Sequence, residues 1–248
     1  MTQKIRVGAV SYLNTKPLIY GFEQGIMKDQ VDLSIDYPAN IASKLLSDQI
    51  DIGLVPVAVI PLLKEHHIIS DYGIACDGEV ASVCLFSEVP LGEIKTVLLD
   101  YQSRTSAALL RILLREHWKI SPQLIPATSN YENDIAGTTA GLVIGDRALV
   151  QRQRSKYIYD LGSAWKEMTG LPFVFAAWIS NKKFPPSFTE AFAAANAFGF
   201  EHLDEVISRN PYTAFDLRSY YKDFVKFRLN EKMLEAVRLF FGKMALDK

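Results

Sequence analysis

Two stretches place small hydroxyl and amide side chains where a strand gives way to a helix: Ser11-Tyr12-Leu13-Asn14-Thr15 and Ser103-Arg104-Thr105-Ser106. The first turn of a helix leaves backbone N–H groups unpaired and carries partial positive charge, so it suits a carboxylate or phosphate. Hydroxyl and amide side chains there add donors, and Arg104 adds a charge-assisted one. Plain N-capping, with Ser103 accepting from the N–H near Ser106, accounts for the same residues. A ligand with two anionic ends would satisfy the two junctions as a pair. Ser82 lies in the strand-like run Val80–Ser87 amid apolar neighbours. It is either a small buried residue or a hydroxyl that meets a ligand on a strand crossing a cleft floor. Asp146 directly follows the apolar run ending Ile144-Gly145, as a helix N-cap or as a carboxylate with a chemical task. The aromatic stretch from Trp165 through Gly170-Leu171-Pro172 to Phe175 reads mainly as core, though the turn at Pro172 would line a pocket for a flat ring.

Other chemistries lack their residues. The four histidines, His66, His67, His117 and His202, form no H-E-x-x-H pair, and Cys76 and Cys84 have no C-x-x-C spacing, so no metal site is expected. Neither a P-loop nor a G-x-G-x-x-G fingerprint is present, and no G-x-S-x-G elbow supports a serine hydrolase. With 27 Lys+Arg against 28 Asp+Glu, the net charge of -1 offers no footprint for nucleic acid. No apolar run approaches the roughly 18–20 residues of a membrane span, and the N-terminal residues lack the apolar core of a secretion signal. The expectation is a cytoplasmic protein with reduced cysteines, a small-molecule partner and no cofactor. It would be a monomer, or a homodimer if the apolar tail Val237–Phe241 is a contact patch rather than core.

These residues need elements to hold them. Ile5–Val10, Val31–Tyr37 and Ile52–Val55 read as strands, separated by a helix entered at Pro17 and capped by Asn14 or Thr15, and by a helix over Asn40–Gln49. Tyr72–Cys76 and Val80–Ser87 flank Asp77-Gly78, a pair that favours a tight hairpin. Thr96–Asp100, the amphipathic helix Arg104–His117, Leu142–Ile144 and a helix over Arg147–Arg154 form a second β/α unit within residues 90–172. Phe173–Ser180 is a further strand, and the rest from Ser187 reads as helical, with a capping box at Ser187 and Glu190, a looser one at Thr213 and Asp216, and Asn230 capping Glu231–Ala245. The pattern predicts an α/β protein of two lobes joined by two extended crossings, residues 1–85 plus 178–248 forming one and 86–177 the other. A single doubly wound sheet would account for the same elements.

Val10-Ser11-Tyr12-Leu13-Asn14 with Pro17-Leu18, Asp51-Ile52-Gly53-Leu54-Val55-Pro56, Asp77-Gly78 with Ser82-Val83, Asp100 with Ser103-Arg104-Thr105-Ser106, Ile144-Gly145-Asp146, and Thr169-Gly170-Leu171-Pro172-Phe173-Val174 together resemble the chorismate dehydratases, which open the futalosine route to menaquinone. The resemblance runs from about residue 5 to residue 180 and is weaker over the helical tail. It implies a type 2 periplasmic-binding-protein-like fold, and that Asn14 and Ser82 match the family's active-site Asn and Ser. It also implies a dicarboxylate substrate, chorismate, which loses its ring hydroxyl and a neighbouring ring proton. Removing that proton pushes charge onto the ring carboxylate as a dienolate, which preorganised donors stabilise, and aromatisation drives loss of water. Such a reaction calls for no metal or redox cofactor. The base is either the substrate's own enolpyruvyl carboxylate or Asp146. Two other readings stand beside this one: a non-catalytic small-anion binding or sensor protein of the same fold, and the sister enzyme of the route that acts on a naphthoate precursor.

Overall fold

Runs of apolar residues buried on both faces set the framework. The structure, a computed structural model, describes residues 4–246. β1 (Ile5–Val10) pairs in parallel with β2 (Val31–Asp36) and with β3 (Ile52–Pro56), and α1 (Lys16–Glu23) and α2 (Pro38–Leu46) make the connections. Then follow β4 (His67–Cys76), β5 (Val83–Ser87), β6 (Thr96–Leu99) and α3 (Arg104–Ile112), which ends in a π-helical turn over Leu113–His117. β7 (Gln123–Pro126), β8 (Thr139–Ile144), α4 (Asp146–Gln151), β9 (Tyr157–Asp160) and α5 (Leu161–Thr169) lead to β10 (Phe173–Ser180). The remainder comprises α6 (Pro186–Glu201), α7 (Leu203–Arg209), α8 (Leu217–Ser219, continuing as a π-helical turn over Tyr220–Phe224), β11 (Lys226–Arg228) and α9 (Glu231–Ala245).

The strands form two mixed sheets, one of six strands in the order β11-β4-β10-β3-β1-β2 and one of five in the order β7-β6-β8-β5-β9. The chain divides into two compact units. Unit 1 comprises residues 1–75, 174–211 and 226–230; unit 2 comprises residues 76–173, 212–225 and 231–248. These boundaries differ from the expected lobes mainly at the C-terminal end. α9, assigned from sequence to the first lobe, belongs to unit 2, where fully buried Phe240 packs edge-on against Trp165 and Phe173 with ring centroids 6.2 and 5.1 Å away.

Several local expectations are corrected. Tyr72–Cys76 and Val80–Ser87 do not form a hairpin: β4 lies in the six-stranded sheet and β5 in the five-stranded one. The N–H groups of Val80 and Ala81 donate to the Asp160 carboxylate instead of to a neighbouring strand. The tail is not wholly helical, because β11 adds an edge strand antiparallel to β4. Ser187 lies inside α6, whose N-cap is Pro185 with no side-chain bond, so it forms no capping box. Thr213 caps nothing; Asp216 is itself the N-cap of α8 and accepts from Ser219 N–H. Thr15 occupies the N-cap of α1 without a side-chain capping bond, and Pro17 fills the first turn as expected.

In unit 1, α1 packs closely against α6. The contact depends on two glycines: a Cβ on Gly199 would run into the Pro17 carbonyl, and one on Gly21 into the Ala195 carbonyl. Neither backbone oxygen can swing away as a flexible side chain would. Gly199→Ala is therefore expected to destabilise unit 1 by about 3 kcal/mol, the upper part of the range for overpacked interiors. Urea unfolding of the variant against the wild type measures it.

Candidate active site

The register of the five-stranded sheet gathers most of the sequence-predicted residues at one end of unit 2. β6 and β8 are parallel neighbours, so the turns that leave them, Asp100–Ser103 and Gly145–Asp146, emerge side by side. β5 runs antiparallel to β8 with Val83 opposite Ile144, which places Ser82 at the same end. The Ser82 carbonyl accepts from Gly145 N–H at 2.8 Å, tying that residue directly to the turn that carries Asp146. Ends of this kind, beyond the carboxyl termini of parallel strands, are where α/β sheets present residues to ligands.

Ser82 is buried, at 1% exposure, and its Oγ accepts from the hydroxyl of fully buried Tyr220 at 2.8 Å. Ser103 is the N-cap of α3: its Oγ accepts from Ser106 N–H at 3.1 Å and its hydroxyl reaches Ser106 Oγ at 2.9 Å. The capping reading thus holds for Ser103, and Thr105 is buried beside it. Arg104 is exposed at the head of α3, and no described residue forms an ion pair with it. Asp146 is not an N-cap; Gly145, at φ 63°, holds that position, and Asp146 begins α4. The Asp146 carbonyl accepts from Tyr212 at 2.7 Å. Burial and the nearby Asp146 charge push the Tyr212 phenol up to about 12 and move Tyr221 upward as well. Pro172 lies in the turn between α5 and β10, and its carbonyl accepts from Trp165 Nε1 at 3.0 Å.

An ion pair between half-buried Arg147 and buried Asp100 clamps the two neighbouring turns. Arg147 Nη2 donates to Asp100 Oδ2 at 2.6 Å and to Gln102 Oε1 at 3.2 Å, and Nη1 reaches Glu132 at 2.6 Å. Tyr131 donates to the same Asp100 oxygen at 2.7 Å, and Gln102 N–H meets Oδ1 at 2.6 Å. Burial raises the Asp100 carboxyl above its ordinary range against the pull of Arg147, Tyr131 and the Gln102 amide. Burial also works against the Arg147 charge, but Asp100, Tyr131 and Glu132 outweigh it and hold the guanidinium above its usual range.

A second carboxylate, half-buried Asp160, accepts from four backbone amides: Val80, Ala81, Gly162 and Ser163, at 2.8–3.2 Å. Burial raises its carboxyl, and those amides oppose the shift. Nothing in the local sequence marks Asp160, Tyr212, Tyr220 or the Arg147 clamp as site-shaping groups. Locally Asp160 is only the N-cap of α5, and its other partners lie about 80 residues away.

The remaining predicted residues lie in unit 1. Ser11 is exposed, Tyr12 half-buried and Asn14 buried in the short helical turn Leu13–Thr15 that follows β1. Asn14 Oδ1 accepts from Thr15 Oγ1 at 3.5 Å, and no described residue accepts from its amide N–H groups. Among the described residues no cluster of three His, Cys, Asp or Glu could hold a metal ion, and no helix is long and apolar enough to cross a membrane.

Solved structures place this architecture. A protein from Archaeoglobus fulgidus superposes with a TM-score of 0.76 at 16% identity, covering 99% of this chain and 98% of that one. A Candida albicans protein described as having the generic periplasmic binding protein fold matches with a TM-score of 0.65 at 14% identity, covering 98% of this chain and 90% of its own. The fold is therefore of the periplasmic-binding-protein-like class, two mixed sheets flanked by helices. The sequence narrows this further. A family model described as menaquinone biosynthesis matches residues 5–246, and the chain belongs to that family. A chorismate dehydratase from Thermus thermophilus is 30% identical over 197 residues, 68% of this chain and 69% of its own length. One from Campylobacter jejuni is 27% identical over 175 residues, 68% of this chain and 64% of its own.

Removing the guanidinium would leave the buried Asp100 carboxylate without its cation, held by Tyr131 and the Gln102 amide alone. Arg147→Met is expected to cost about 3–5 kcal/mol, as for other broken buried pairs. Adding Asp100→Asn should recover part of that loss, and a double-mutant cycle by chemical denaturation reads the coupling.

Proposed function

We propose that this chain is a chorismate dehydratase, a hydro-lyase of the carbon–oxygen class that converts chorismate to 3-[(1-carboxyvinyl)oxy]benzoate and water on the futalosine route to menaquinone, in the cytoplasm. The reading is carried by membership of the menaquinone-biosynthesis family together with similarity to two curated chorismate dehydratases. The end of the unit 2 sheet fits it, because it combines a hydroxyl at Ser82, a hydroxyl-rich helix start at Ser103–Ser106 and the cation Arg104, with which no described residue forms an ion pair.

In this reading the helix start and Arg104 receive a substrate carboxylate, since both supply positive charge to an anion. Ser82 is assigned a catalytic hydroxyl and Asn14 a catalytic amide, each donating to an oxygen that gains charge as the ring proton leaves. Ser11 and Tyr12 are assigned to binding, as are Asp146 and, against the ring, Pro172. The proton departs from the ring carbon beside the hydroxyl-bearing one, and its electron pair runs through the ring double bond to the carboxylate as a dienolate. The dienolate then expels the hydroxyl, which leaves as water once it takes up a proton, and the ring becomes aromatic. The substrate's enolpyruvyl carboxylate takes the ring proton, so the protein contributes mainly position and fixed donors.

Purified protein incubated with chorismate and no added cofactor should yield an aromatic product lighter by one water, read by mass spectrometry and proton NMR. Chorismate that binds but is not turned over would instead support a non-catalytic binding protein. Asp146→Asn separates the two candidate bases. With the substrate as base, turnover should fall by less than about tenfold, whereas loss of a general base costs about 10²–10⁴-fold.

A further inference from the structure

Ala81, the residue immediately before Ser82, sits at φ 63°. This left-handed backbone is uncommon for a residue with a Cβ, and alanine has no polar side chain to stabilise it. Asp160 supplies the constraint. One carboxylate oxygen accepts from Ala81 N–H at 2.8 Å, and both reach Val80 N–H at 3.1 and 3.2 Å. The carboxylate is itself fixed by Gly162 and Ser163 N–H at 2.9 and 3.1 Å, where it caps α5. Beyond Ala81, Ser82 is held at two further points, its carbonyl by Gly145 N–H and its Oγ by the Tyr220 hydroxyl, each at 2.8 Å. A phenol is a stronger acid than an alkyl alcohol, so Tyr220 donates in that pair and the Ser82 hydrogen is left to donate to another acceptor.

The geometry points to Asp160 as a positioning residue: by pinning Ala81 in the left-handed region it presents the Ser82 hydroxyl to the substrate. This deepens the dehydratase reading and rests on it, since there Ser82 touches the substrate. Strain held beside a functional group by bonds from elsewhere in the fold is a known way to fix such a group in one orientation.

The test compares wild type, Asp160→Asn, Ala81→Gly and the double variant on chorismate. Asp160→Asn should lower kcat by about 10–100-fold with KM changed less than about threefold, the scale of a small misplacement of a reacting group. Glycine adopts the left-handed backbone without a pin, so Ala81→Gly in the Asp160→Asn background should restore kcat by about tenfold. Glycine replaces none of the hydrogen bonds lost with the carboxylate, so a merely structural Asp160 predicts no recovery. Unchanged kcat in Asp160→Asn, or no gain in the double variant, overturns the proposal. Should Asp160→Asn not fold, Ala81→Val carries the test, because a β-branched side chain is strongly disfavoured at this backbone. Its kcat should then fall with KM held, and an unchanged kcat overturns the proposal. A wild type inactive on chorismate defeats the dehydratase reading instead. The pinning is then read from the crystal structure of Asp160→Asn, where Ala81 leaving the left-handed region supports it and Ala81 keeping its φ overturns it.

Discussion

A carboxylate removed from water must be met by donors, and Asp160 is met by main-chain amides rather than by a bonded cation. Four N–H groups converge on it from two stretches far apart in sequence, one after β4 and one at the head of α5. Even half-buried, this anion would lose stability with any of those donors missing, so the backbone around it has little freedom. The constraint passes outward bond by bond: from Ala81 to Ser82, through the Ser82 carbonyl to Gly145, and through Arg147 to Asp100 and the turn that opens α3. Three turns at one sheet end thus share a single polar framework. It rests on strands such as β5, every residue of which is buried.

Unit 1 is held differently. Its helices meet through backbone contact at Gly21 and Gly199, and Trp178 at the sheet centre donates its indole N–H to Asn196 at 2.7 Å, both side chains fully buried. Its chief ionic feature is Asp51, which accepts from the Arg6 main chain and guanidinium and from Lys182. Burial works to raise the Asp51 carboxyl, but the bonds from Arg6 and Lys182 win and hold it well below the usual carboxylate range. This ties the start of β3 to β1 and to the residues just past β10. Lys182 adds one bond to the carboxylate, and Arg6 fixes it by three.

Strands with strong apolar runs were legible. β1 and β10 fall where the sequence puts them, because burial on both faces leaves an uninterrupted hydrophobic signature. The Ser103 cap was legible for a similar reason, since it is a contact between residues three apart. The hairpin at Asp77-Gly78 failed because turn propensity is local. It cannot report that a carboxylate at 160 claims the next amides and sends β5 into another sheet. β11 is three residues long with one of them buried, too short to interrupt a helical reading of the tail. Tyr220 and Arg147 look in sequence like ordinary members of amphipathic segments, and only the register of the sheet brings them to Ser82 and Asp100. The candidate residues were found where chemistry is written in local composition; their supports were missed where it is written in long-range contacts.

The last part of the chain serves both units in turn: residues 212–225 belong to unit 2, β11 to unit 1 and α9 to unit 2 again. A nascent polypeptide leaving the ribosome therefore cannot finish either half early. Tyr220, the partner of the Ser82 hydroxyl, emerges more than a hundred residues after Ser82 itself, and Phe240, which closes the Trp165 cluster, later still. Chains released prematurely would leave two unfinished units with exposed apolar faces, a substrate for chaperones and proteases rather than a half-working protein.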